Sequence, residues 1–124
     1  MTVRLITKKP MVYVAGPISG GNVLHNVRCG IIMGEYLRKS GYVPFVPHHS
    51  ALTEIVTGGI PWSDWLEYDE QIIMRCDAMY RIEGESKGAD RETDFARSIG
   101  VPVFVTTEGL NEWRDAVYYG AMKL

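Results

Sequence analysis

Two carboxylates fall where the hydropathy pattern asks for apolar side chains. Between residues 61 and 76 the apolar positions Trp62, Trp65, Leu66, Ile72, Ile73 and Cys76 recur at helical spacing, and at about 100° per residue Asp69 projects into the middle of them. From Lys87 onward, the same projection places Glu92 on the face that carries Ala89, Phe95, Ala96 and Ile99. Acids are rarely buried unless paired or functional. A convergent pair suits glycosyl chemistry, in which one carboxylate attacks or stabilises an oxocarbenium-like carbon while another group handles the leaving group's proton. Each acid also has a plain structural role open to it. Asp69 could accept backbone amides from a loop, and Glu92 could pair with Arg91 or Arg97 on its own helix.

Other residues could complete a site. The run Gly16-Pro17-Ile18-Ser19-Gly20-Gly21-Asn22 follows a short apolar stretch and opens a helical one, the setting in which backbone amides cradle a phosphate or approach a sugar. It fits neither the dinucleotide fingerprint nor the P-loop pattern, and a tight turn without a ligand remains the alternative. His48 and His49 come at the end of the second apolar run, where they could hydrogen-bond a base or phosphate or simply belong to a polar loop. Being adjacent, with no spaced third ligand, they do not suggest a metal. Trp62 and Trp65 could stack on a nucleobase or pack in the core. Cys29 and Cys76 show no paired or metal-ligand spacing and are expected to be buried, inert thiols.

These residues need elements to hold them. A polar arm over residues 1–10 precedes a predicted buried strand, Met11 to Ala15. A helix is predicted over 22–39, with apolar residues Val23, Leu24, Val27, Ile31 and Leu37 and a stop at Ser40-Gly41. A second strand spans 42–46, with Pro44 pointing to an edge. Residues 47–60 read as a mobile connection with a helical turn or two. A helix over 61–76, a strand over 78–82, a helix over 87–99 capped by Ser86, a strand over 101–105 and a final helix over 111–122 follow. Alternating strands and helices, with strands that are continuous apolar runs, predict one doubly wound α/β domain over residues 1–124, with a mainly parallel sheet of four or five strands covered on both faces.

Composition narrows the function classes. The chain has 124 residues, 46% hydrophobic and 23% charged, which is ordinary for a folded domain and unlike a disordered or repetitive one. Thirteen Lys and Arg against 15 Asp and Glu give a net charge of −2, which argues against a phosphate-neutralising face and hence against a nucleic-acid polymer as partner. No apolar stretch approaches the roughly 20 residues of a membrane span, and the first ten residues lack an apolar signal core, so a cytoplasmic protein is expected.

Three separated segments resemble the nucleoside 2-deoxyribosyltransferase superfamily, in particular its short phage and bacterial branch. Tyr13-Val-Ala-Gly-Pro-Ile-Ser-Gly-Gly-Asn22 is similar to the first-strand motif, with the tyrosine that in those enzymes positions the nucleophile. Trp65-Leu66-Glu67-Tyr68-Asp69, leading to Cys76-Asp77-Ala78, resembles the helix whose aspartate lines the active site. Ser86-Lys87-Gly88-Ala89-Asp90-Arg91-Glu92 resembles the segment whose glutamate is the nucleophile. The segments fall in order between residues 11 and 105. The turn before Ser86 lacks the tryptophan common in that branch, and Pro17 stands where nucleotide-hydrolysing relatives can carry a phosphate-contacting serine.

The resemblance implies cleavage of the N-glycosidic bond of a nucleoside or nucleoside 5′-monophosphate, by hydrolysis or 2-deoxyribosyl transfer, without a metal or other cofactor. Glu92 would attack the anomeric carbon, Tyr13 would hold it, and Asp69 would bind sugar or base and assist proton delivery. Gly16, Pro17, Ile18, Ser19, Gly20, Asn22, His48, Ser86 and Gly88 would seat the substrate. A homodimer or larger assembly of the chain is also implied, with Trp113, Val117, Tyr118 and Met122 of the last helix as its candidate surface. A catalytically silent module that sequesters a nucleotide in the same crevice is the competing expectation.

Overall fold

The computed structural model describes residues 7–122, so most of the expected N-terminal arm lies outside the described residues. Four parallel strands form one sheet: β1 (Met11–Ala15), β2 (Val43–Phe45), β3 (Ala78–Arg81) and β4 (Val103–Phe104), in the order β2-β1-β3-β4. The register pairs Tyr13 with Phe45 on one side and with Met79 on the other. The helices are α1 (Val23–Lys39), α2 (Ser50–Thr57), α3 (Trp62–Ile73), α4 (Lys87–Ser98), α5 (Thr107–Trp113) and α6 (Tyr119–Met122), with a 3₁₀ turn at Pro47–His49 and a π-helical stretch at Arg114–Tyr118. This is the doubly wound α/β domain that the alternation predicts, with Pro44 on the edge strand.

Strand side chains alternate between two cores. Val12, Val14, Ala78 and Tyr80 pack with Leu37, Tyr42, Val46 and Leu110 on one face, the side of α1 and α5. Tyr13, Ala15 and Met79 pack with Ile73, Cys76, Ala89 and Ala96 on the other, the side of α3 and α4. Right-handed crossovers require this division. The chain leaves β1 in one direction through α1 and returns past it through α3 and then α4, so the first connection falls on one face and the next two on the other. The strand order reverses at β1, and the crevice between the C-terminal ends of β1 and β3 is where such sheets bind ligands.

Two local expectations need correction. Of the apolar residues expected on α1, Leu37 is buried and Val27 half-buried, but Val23, Leu24 and Ile31 are exposed, Leu24 by 80%, and the rest of the buried face is made by Gly30 and Gly34. Glycine brings the helix backbone against its neighbours. A Cβ on Gly30 would lie 2.4 Å from the His48 ring, and one on Gly34 would lie 2.5 Å from Val46. The last helix begins at Thr107 rather than 111, because the Thr106 side chain accepts the Gly109 amide and caps it. There Trp113 packs at 5.7 Å from both Phe104 and Tyr118, so these aromatics extend the core cover.

Ala has the better helix propensity by about 1 kcal/mol, but overpacking a rigid buried ring costs about 1–3 kcal/mol. Gly30→Ala is therefore expected to destabilise the protein by about 1–2 kcal/mol, read as a lower urea midpoint with an unchanged slope. A midpoint at or above that of the parent would mean that α1 is not held this closely.

Candidate active site

Glu92 enters the sheet side of α4 because the helix starts where it does. Ser86 is extended and its hydroxyl accepts the Ala89 amide, which sets the phase so that Ala89, Glu92, Thr93 and Ala96 face inward. The Thr93 hydroxyl donates to the Ala89 carbonyl at 2.7 Å, satisfying its own buried oxygen. Glu92 is only 6% exposed, and its carboxylate accepts the hydroxyl of Tyr13, a side chain fully buried in the middle of β1. Neither Arg91 nor Arg97 pairs with it. Arg91 lies 5.8 Å over the Trp62 ring instead.

Asp69 comes in from α3 beside both Tyr13 and Glu92 and acts electrostatically on each. Burial pushes the Glu92 carboxyl up to about 8; the Tyr13 hydroxyl opposes that rise, and the Asp69 charge adds to it. Burial also pushes Asp69 up, to about 6, against the hydrogen-bonding influence of Glu92 and Tyr13. Burial first, and then the charges of Glu92 and Asp69, hold the Tyr13 hydroxyl well above its ordinary range, so it remains a donor. Two carboxyls so close titrate as a pair that retains one proton near neutrality.

The pair opens on a cavity of about 810 Å³, within the range of small-molecule sites. Gly16, Ile18, Ser19 and Gly20 line one side, Ser86, Lys87 and Gly88 another, and Trp62 and Trp65 a third. The tryptophans are thus wall rather than core. A second cavity of about 630 Å³, bounded by β2, α2 and α3, also reaches Trp65 and Asp69.

Three of the residues expected to bind substrate lie off the cavity wall. Asn22 caps α1 by accepting the His25 amide at 3.0 Å. Pro17 packs against the loop after β3, where Gly84, at φ +134°, leaves no room for a side chain. His48 is 1% exposed behind the Gly16 turn and against Gly30, and burial lowers its pKa against the opposing pull of the Pro17 backbone, so the ring is neutral at pH 7. Its neighbour His49 lines the second cavity. Cys76 is buried, with its thiol pushed up to about 12, but Cys29 is only half-buried, its sulfur 3.5 Å from His25.

Other contributors appear only in three dimensions. The Asn26 amide donates to the carbonyls of Ile18 and Gly20, tying the glycine turn to α1. Arg81 donates to the carbonyls of Ile82 and Gly84 and pairs with Asp90 at 2.9 Å, fixing the β3 loop to α4. Asparagine four residues after a capping asparagine was a usable signal for the first. Nothing local marks the second.

Among the described residues no three His, Cys, Asp or Glu side chains are grouped to hold a metal ion, and no helix is long and apolar enough to cross a membrane. An all-parallel α/β sheet with paired acids beside its switch point defines a Rossmann-like domain with a cavity at that edge. The chain belongs to the family described as a domain of unknown function, DUF4406, whose profile matches residues 10–105. No curated protein matches the chain.

The raised Glu92 pKa links the site to stability. The folded chain holds this proton more tightly than the unfolded chain, whose carboxyl has the ordinary value of 4.5, so the group's contribution is full below about 4.5 and is lost as pH rises through about 8. Glu92→Gln removes that loss. Its melting midpoint should gain on the parent's as pH rises from about 4.5 through about 8, by about 10–20 °C in all, and level off above. A difference that does not vary with pH would show that the carboxyl titrates normally.

Proposed function

We propose that the protein cleaves the N-glycosidic bond of a nucleoside or nucleoside 5′-monophosphate, in the manner of the nucleoside 2-deoxyribosyltransferases that its motifs resemble. One observation carries the reading: a buried glutamate, held by a tyrosine hydroxyl and faced by a second acid, forms the end of a cavity large enough for a nucleoside.

A Glu92 oxygen attacks the anomeric carbon as the carbon–nitrogen bond breaks, and the base departs with the bonding electrons. The pair's one proton rests mainly on Glu92 in the free site; in the reacting form it sits on Asp69, which delivers it to the departing base and leaves Glu92 ionised for attack. Asp69 then takes a proton from water, whose oxygen attacks the anomeric carbon and releases the Glu92 carboxylate. A second base in place of water gives transfer, and either route retains configuration. Tyr13 positions the attacking oxygen throughout. The Gly16–Gly20 turn and the Ser86–Gly88 helix start seat the sugar and any 5′-phosphate. Exposed Leu24, Ile32 and Tyr36 on α1 favour assembly with further copies of the chain, which sedimentation velocity would show as dimers or larger species.

Incubation with the common ribo- and deoxyribonucleosides and their 5′-monophosphates, with and without an added base, should release or exchange a base, as resolved by chromatography. Glu92→Ala should lower kcat by about 10³-fold or more, and Asp69→Asn by about 10–100-fold. A folded Glu92→Ala protein with full turnover would remove the assignment. Bound but unchanged nucleotide across the panel would identify a sequestering module instead. The parent's kcat/KM should be bell-shaped, with limbs near about 6 and about 8 that belong to the Asp69–Glu92 pair as a whole, since only its singly protonated form reacts.

A further inference from the structure

α2 is held in an unusual way. None of its residues is buried, and Leu52, Ile55 and Val56 are 66%, 79% and 82% exposed, so apolar packing does not explain its position. It is tied to the body by Glu54, whose Oε1 accepts the Trp65 indole N–H at 2.6 Å. The same Glu54 lines the large cavity together with Asp69 and Glu92.

Trp65 precedes Asp69 by four residues on α3, a rise of about 6 Å along one helix face. Trp65, which holds the Glu54 carboxylate, thus stands about one helical turn from Asp69, and all three line the same cavity. With an anomeric carbon at Glu92, a planar heterocycle bonded to it and lying along the Trp65 and Trp62 wall reaches that level. We propose that Glu54 reads the outer edge of the leaving base and selects bases that present an exocyclic amino group there, an inference that rests on the glycosidic reading above.

The chemistry is one-sided. Indole has a single N–H, and it is already donated to Oε1, so Oε2 keeps its lone pairs for a ligand. An ionised carboxylate only accepts. The wall contributed by α2 and the residues that follow it carries the apolar Ala51, Ile55 and Ile60 and two side-chain donors, the Ser50 hydroxyl and the Trp62 indole. An exocyclic amino group gives the free Glu54 oxygen a donor from the base, whereas a ring carbonyl at that place sets two acceptors against each other in a partly desolvated site.

The test compares kcat/KM for cytidine against uridine and adenosine against inosine, with their 2′-deoxy forms, in the parent, Glu54→Gln and Trp65→Phe. The parent should favour the amino member of each pair by about tenfold or more. Glu54→Gln, which can donate as well as accept, should bring both ratios toward one. Trp65→Phe should keep the preference while weakening KM, because the carboxylate remains. Equal rates within each pair for the parent, or a Glu54→Gln loss shared equally by all substrates, would reduce Glu54 to a tether for α2 and leave the glycosidic reading standing. If the parent cleaves none of these compounds, that reading fails separately. Calorimetric affinities for the same pairs then decide the inference, which is supported by an amino preference that Glu54→Gln abolishes and overturned by equal or absent binding.

Discussion

A carboxyl group wedged between a parallel sheet and the helix covering it is the constraint on which the rest of the structure depends. Glu92 has little contact with water, so its oxygens need partners from the protein, and Tyr13 supplies one from the central strand. That strand pairs on both sides, which leaves its side chains no freedom to shift. α4 must in turn start at Ser86 for Glu92 to face Tyr13, and Arg81 holds the loop that delivers Ser86. Sheet, loop and helix thus agree on the place of one oxygen.

The opposite wall is built by close approach rather than by charge. Gly30 and Gly34 bring α1 against His48 and Val46, and Asn26 on the same helix holds the carbonyls of the glycine turn. His48 supports the turn from behind as a neutral ring filling the space a Cβ would need. The crevice is therefore shaped before any ligand arrives, with few side chains left to order on binding.

Much of this was legible in the sequence, and the parts that were not share physical reasons. Strand runs and helix stops gave the order of elements, and Asp69 and Glu92 stood out because each breaks an apolar stripe. Tyr13 could be placed on a strand but joined to Glu92 only through resemblance. Hydropathy misread α1 because glycine carries no apolar signal even where it makes the tightest packing. It placed Trp62 and Trp65 on an inward face without telling core from cavity wall, since both lie beneath the same helix stripe. Glu54, in a stretch that looked like a connection, gains its place from Trp65 eleven residues away. Contacts that cross between elements leave no periodic trace.

Tyr13 has a further consequence through its strand. Side chains on a β-strand alternate faces, so a slip of one residue in β1 would turn Tyr13 toward α1 and bring Val12 or Val14 beneath Glu92. The carboxyl would then be buried against a methyl surface with no donor. A misregistered sheet thus carries its own penalty at the one position where the chain is least able to absorb it, and the same contact that arms the crevice also proofreads the pairing of the strands beneath it.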